Sequence, residues 1–159
     1  MTSTNPTILF VCWGNICRSP MAEEVARAKA AQDGVTKVSF ISAGVSADEA
    51  GHPIDPRAVS VLRAAGYQVG PHTARLVTAQ EVFDADLVIG MEELHLTKLR
   101  RLAPHADHLY LLTDFNPDAL PGAEIEDPWY GEADDFVTTL DQIEAAMPEL
   151  IRRARELQG

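Results

Sequence analysis

The stretch from Thr7 to Pro20, TILFVCWGNICRSP, constrains this chain most. TILFVC is a continuous apolar run, the pattern of a strand buried on both faces. Ser19 and Pro20 then supply an N-cap and a first helical residue, with Glu23 and Glu24 in the first turn and an Ala-rich helix to about Ala31. A buried strand, a short loop and a helix form the opening half of a parallel crossover.

The same alternation repeats. Residues 37–43 read as a second strand, and Asp55-Pro56 opens a second helix whose Gly66 sits at C′. Thr78 and Glu81 have capping-box spacing ahead of a short helix, and 85–91 is a third apolar strand. A helix over 92–102 leads to a fourth strand near 108–112. A Pro- and Gly-rich loop over 116–131 precedes a last amphipathic helix over 134–157, which Pro148 should kink or restart. The expected fold is α/β: a doubly wound, four-stranded parallel sheet with helices on both faces, in one domain over 1–159 whose residues 1–6 form a flexible leader. Ligands of such sheets bind at the carboxyl ends of the strands, beside the point where strand order reverses.

Charge narrows the partners. At a formal −11, the chain lacks the clustered Lys and Arg that nucleic acid or an anionic membrane demands. Two cysteines so close in sequence do not make a secreted disulfide framework. The apolar run near the N-terminus has no basic flank and is short for a signal peptide or a membrane span, so a cytoplasmic protein is expected.

An anion bound here must be held by local geometry, and the first loop has the parts. Backbone N–H groups between a strand and a helix N-terminus form a nest, backed by about +0.5 charge from the helix. Gly14 permits the turns and close approach that a Cβ would block. Arg18 offers a planar fork for two phosphate oxygens. Cys12, at the strand end, would lie beneath that phosphate, held as a thiolate by the same positive groups and in line with phosphorus. Cys17 cannot take that role, because Arg18 follows it immediately.

VCWGNICRSPMAE, with its Cys-x5-Arg spacing, resembles the phosphate-binding loop of the low-molecular-weight protein tyrosine phosphatases, and EDPWYG at Glu126 to Gly131 resembles their general-acid loop. ISAG at Ile41 to Gly44, DPRA at Asp55 to Ala58 and HTAR at His72 to Arg75 resemble family landmarks in the same order. The resemblance implies a flavodoxin-like phosphatase fold and a metal-independent, cofactor-free hydrolase. It implies that Cys12 becomes phosphocysteine while Trp13, Gly14, Asn15, Ile16, Cys17 and Arg18 enclose the phosphate. Asp127, by composition only a turn starter, becomes the general acid and then the base. Ser19 gains a second role, donating to the Cys12 sulfur. Asn15 takes a left-handed backbone, which Asn tolerates, in a polar network with Ser42 and His72. Trp13, Trp129 and Tyr130 would wall a slot for a flat phosphorylated ring. Trp13 and Trp129 depart from the family's commoner residues, so substrate preference carries over least.

The implied partners are a phosphotyrosine-containing protein as substrate and inorganic phosphate as product. Cys17 is either packing or a disulfide partner for Cys12, as in some relatives. His52, His95, His105 and His108 show no ligand spacing with the cysteines, so no metal site is expected. Arsenate reduction would need further cysteines. Protein-arginine phosphatases of the same fold are the alternative activity, but they carry threonine where Ile16 stands. A non-catalytic phosphopeptide-binding or redox-sensing module is the third reading, opposed by the presence of both Cys12 and Asp127.

Overall fold

A computed structural model describes residues 5–159. Residues 1–4 of the expected leader lie outside the described residues. The order is β1 (Thr7–Cys12), α1 (Arg18–Gln32), β2 (Ser39–Gly44), α2 (Pro56–Ala64), α3 (Ala79–Asp84), β3 (Leu87–Gly90), α4 (Glu93–Leu102), β4 (Leu109–Leu111) and α5 (Ala133–Gln158). The strands form one parallel sheet in the order β2-β1-β3-β4. Because β1 is central and the chain leaves it first toward β2 and later toward β3, strand order reverses beside the C-terminal end of β1. The loop carrying Cys12 to Arg18 sits at that point.

Strand alternation explains why β1 is apolar throughout. Ile8, Phe10 and Cys12 join the core under α1, α2 and α5, while Leu9 and Val11 join a second core with Val82, Leu96 and Leu99 from α3 and α4. Residues 8–11 are wholly buried, as a central strand covered on both faces requires.

The second helix is capped by Asp55, whose carboxylate accepts the Arg57 N–H, and Gly66 follows it with φ 93°. The Thr78–Glu81 box forms in both directions. Two expectations need correction. Ser19 does not cap α1: the helix starts at Arg18 with Cys17 at the N-cap and no side-chain cap. That start puts Pro20 third in the helix, still among the first N–H positions that lack an intrahelical acceptor, so its missing donor costs nothing. Glu23 and Glu24 consequently fall beyond the first turn, which holds no acidic residue. Of the two outcomes expected at Pro148, the restart does not occur: α5 continues through it as one helix. Its buried face, with Ile143 and Met147 before the proline and Leu150, Ile151 and Ala154 after it, holds both halves against one core and outweighs one lost backbone bond.

Candidate active site

Cys12 ends β1 buried at 2% exposure, with its Sγ 3.0 Å from Ser19 Oγ. Ser19 Oγ already accepts Asn15 Nδ2–H at 2.9 Å, so its single proton is available to the sulfur; its other acceptor, the Ala43 carbonyl, lies at 3.5 Å. Moving Ser19 from the cap position to the first turn of α1 is what brings this hydroxyl over Cys12.

Asn15 has φ 61° and is alone among the described non-glycine residues in having a positive value. A left-handed backbone costs an L-residue roughly 1–2 kcal/mol, and the surroundings fix it from four sides. Asn15 Nδ2 donates to Ser19 and to Ser42 Oγ at 3.0 Å, its Oδ1 accepts the Arg75 N–H at 3.1 Å, and its carbonyl accepts His72 Nε2–H at 2.7 Å. Ser42 and His72 therefore join Asn15, and Arg75 completes the network through its backbone.

Arg18 is 1% exposed and spans the site. Its Nη1 donates to the Ile125 carbonyl at 2.7 Å and lies 3.1 Å from Glu92 Oε2; its Nη2 lies 3.4 Å from Asp127 Oδ2. Its Nε makes no hydrogen bond to the protein. Asp127 caps a short 3-10 turn, Pro128–Tyr130, by accepting the Trp129 N–H at 3.1 Å.

One cavity joins these groups. From the first loop it is lined by every residue from Cys12 to Arg18 except Asn15, whose side chain is committed to its own network. Asp127, Trp129 and Tyr130 form the opposite wall, and Asp48 and Glu49 reach it from the segment after β2. Trp13 is steadied by Asp48 Oδ2, 3.2 Å from its Nε1, and by Lys98 Nζ, 5.0 Å over its ring. Trp129 and Tyr130 meet edge to face at 5.0 Å. Cys17 lies 3% exposed with its thiol donating to Asp55 Oδ2 at 3.9 Å. Burial, then the negative charges of Asp55, Cys12 and Asp127, push its pKa far up.

Gly14 has an ordinary φ, and a Cβ there would meet side chains alone, the flexible Glu49 at 3.0 Å and Ile16 at 4.0 Å. Gly44, ending β2, is the tight one: a Cβ would lie 2.7 Å from the Trp13 carbonyl oxygen and 3.2 Å from the Asn15 nitrogen. Glu92, Ile125, Asp48 and Glu49 were not singled out in the sequence; Asp55 and Arg57 stood there only as a helix start and part of the DPRA landmark, and His95 only as a histidine without ligand spacing. Glu92 had one available signal, since it follows β3 at the carboxyl edge of the sheet.

The chain is similar to known proteins in sequence and fold. A family model described as low molecular weight phosphotyrosine protein phosphatase matches residues 7–158. The low molecular weight protein-tyrosine-phosphatase of Streptomyces coelicolor is 40% identical over 154 residues, 94% of this chain and 93% of that protein. Among solved structures, a protein tyrosine phosphatase from Entamoeba histolytica with Hepes in its active site superposes with a TM-score of 0.89 at 30% identity, covering 95% of this chain and 97% of that one. The YwlE arginine phosphatase, solved as a cysteine-to-serine mutant with a phosphorylated active-site serine, gives 0.82 at 28% identity, covering 94% and 96%.

Proposed function

The chain belongs to the low molecular weight phosphotyrosine protein phosphatase family and is a protein tyrosine phosphatase; from that premise we propose that Cys12, Arg18 and Asp127 perform its chemistry. The observation that carries this reading is the convergence on one cavity of a buried cysteine, a buried guanidinium with an unpartnered Nε, and a carboxylate. In the first step the Cys12 thiolate attacks phosphorus, forming the S–P bond as the P–O bond to the aryl group breaks. Arg18 and the loop amides hold the equatorial oxygens, and Asp127 gives its proton to the leaving phenolate. In the second step Asp127 takes a proton from water as the water oxygen attacks phosphorus, and Cys12 leaves as a thiolate stabilised by the Ser19 hydroxyl. Inorganic phosphate is the product.

Ser42 and His72 act through Asn15, keeping the loop in its left-handed turn before substrate arrives. Trp13, Trp129 and Tyr130 grip the ring, on which a short phosphoserine would not reach the sulfur. Of the two readings of Cys17, burial and its Asp55 partner support packing at neutral pH, because disulfide formation requires a thiolate. The working assignment is a metal-independent, cofactor-free domain over 1–159 acting on phosphotyrosine proteins in the cytoplasm. The net charge of −11 supports partners other than nucleic acid and membrane. Among the described residues no helix is long and apolar enough to cross a membrane.

The test is steady-state turnover of p-nitrophenyl phosphate and of phosphotyrosine, phosphoserine and phosphoarginine peptides by the reduced parent, Cys12→Ser and Asp127→Ala. Aryl phosphate turnover should vanish in the first variant and fall roughly 100-fold or more in the second. A preference for phosphoarginine would transfer the assignment to the arginine phosphatases, and an inactive parent would leave a phosphopeptide-binding or redox module.

A further inference from the structure

The N-terminus of α2 touches both halves of the site without entering the cavity. Asp55 is 7% exposed, and its backbone N–H donates to the Ile16 carbonyl at 2.8 Å while its Oδ2 accepts the Cys17 thiol. Both contacts are to the phosphate loop. The same carboxylate receives Arg57 in a two-pronged pair, Nε to Oδ1 at 3.1 Å and Nη2 to Oδ2 at 2.8 Å. The far side of that guanidinium donates to the Gly131 carbonyl from Nη1 at 3.2 Å and to the Trp129 carbonyl from Nη2 at 3.3 Å. Its carbon lies 4.6 Å from the centre of the Phe136 ring at the start of α5.

We propose that Asp55 and Arg57 are positioning residues for catalysis, a strap that holds the Asp127 loop at a fixed distance from the phosphate loop. The geometry favours a strap over an ordinary surface pair in three ways. Asp55 is buried where an exposed pair would contribute little. The planar fork binds the carboxylate along one edge and leaves two N–H directions for carbonyls, which a lysine cannot reproduce. Those carbonyls belong to Trp129, inside the turn that Asp127 caps, and to Gly131, which follows it. Burial alone would raise the Asp55 pKa, and the hydrogen bonds and charge of Arg57 more than reverse this, so the carboxylate stays ionised and the strap is in place through the neutral range.

The inference rests on Asp127 being the general acid, and its test separates the two claims. On the full chain, kcat/KM is measured for p-nitrophenyl phosphate and for phenyl phosphate, whose leaving group is poorer, with the parent, Arg57→Met, Arg57→Lys, Asp127→Ala and the Met/Ala double variant. Asp127→Ala should lose far more on phenyl phosphate than on p-nitrophenyl phosphate. Arg57→Met should lose about 10-fold on phenyl phosphate, as expected of a displaced catalytic group, and much less on the nitrophenyl ester. Arg57→Lys should recover only part of that loss. The double variant should match Asp127→Ala alone, because a residue acting through Asp127 has nothing left to position. Competitive inhibition by inorganic phosphate should change less than two-fold in Arg57→Met. If Asp127→Ala falls equally on both esters, the acid assignment fails. If Asp127→Ala discriminates but Arg57→Met falls equally on both, or its loss adds to that of Asp127→Ala, the strap is overturned. If Arg57→Met melts below assay temperature, Arg57→Lys carries the same comparison.

Discussion

His95 shows how a single side chain can be fixed in one protonation state by its neighbours. It is fully buried, and its Nδ1 accepts the Met91 and Glu92 N–H groups at 3.2 and 3.1 Å, which leaves the ring proton on Nε2. That nitrogen is 3.5 Å from Glu92 Oε2 but makes no hydrogen bond. Burial first, then the Arg18 charge, lowers its pKa to about 3. The native state thus refuses a proton that the unfolded chain accepts below about 6.5. The neutral ring's contribution is complete above that pH and is lost progressively as pH falls toward 3, by at most about 1.4 kcal/mol per pH unit. Urea unfolding between pH 7 and 4.5 should therefore show a shallower loss of stability in His95→Asn than in the parent; equal slopes would mean that His95 is protonated in the folded protein. The neighbouring pair Arg18–Glu92 was invisible in the sequence for a physical reason. Ion pairs between segments far apart in the chain carry no local spacing, whereas Cys12, Gly14, Arg18 and Ser19 share one turn whose chemistry is readable in place.

At the scale of elements, local signals fared well where one element settles its own geometry. Asp55 ahead of Pro56 and Thr78 ahead of Glu81 place their helix starts by self-contained hydrogen bonds. Ser19 misled because its hydroxyl found a better use: the Cys12 sulfur and Asn15 amide compete for it, and they come from the loop rather than from the helix. Pro148 does not restart the helix, because a continuous apolar face constrains a long helix more than one absent donor breaks it. Gly44 was legible only as part of a motif, since its need is set by the loop folded across the end of β2. Gly44→Ala should push its methyl against the Trp13 carbonyl. Backbone cannot yield there as a side chain would, so a loss of about 1–3 kcal/mol in urea unfolding is expected, with a larger fractional loss of kcat/KM than Gly14→Ala produces. Comparable effects from the two would remove the special role of the β2 end.

For the whole molecule, the alternation of strands and helices was enough to specify a parallel sheet, and right-handed crossovers left few orders for four strands. What pattern alone could not supply was the approach of 126–131 to α2 and to the first loop, because irregular segments have no period to read. Charge also acts at this scale. The molecule carries −11 overall, and Asp48, Glu49 and Asp127 line a cavity meant for a dianion. Phosphotyrosine peptides flanked by lysine should be turned over with higher kcat/KM than those flanked by glutamate. The gap should narrow as ionic strength rises and the Debye length falls from about 10 Å at 0.1 M toward 3 Å at 1 M. A salt-independent gap would point to direct contacts instead of the field. Arg18 sits at the centre of that field with one nitrogen unmatched, so the fold leaves one of its own electrostatic debts open. Whatever phosphate closes it binds the native chain and ignores the unfolded one. On the proposed assignment, inorganic phosphate bound at Arg18 would both inhibit turnover and raise the melting temperature, and the two effects could not be engineered apart, because they would be the same contact.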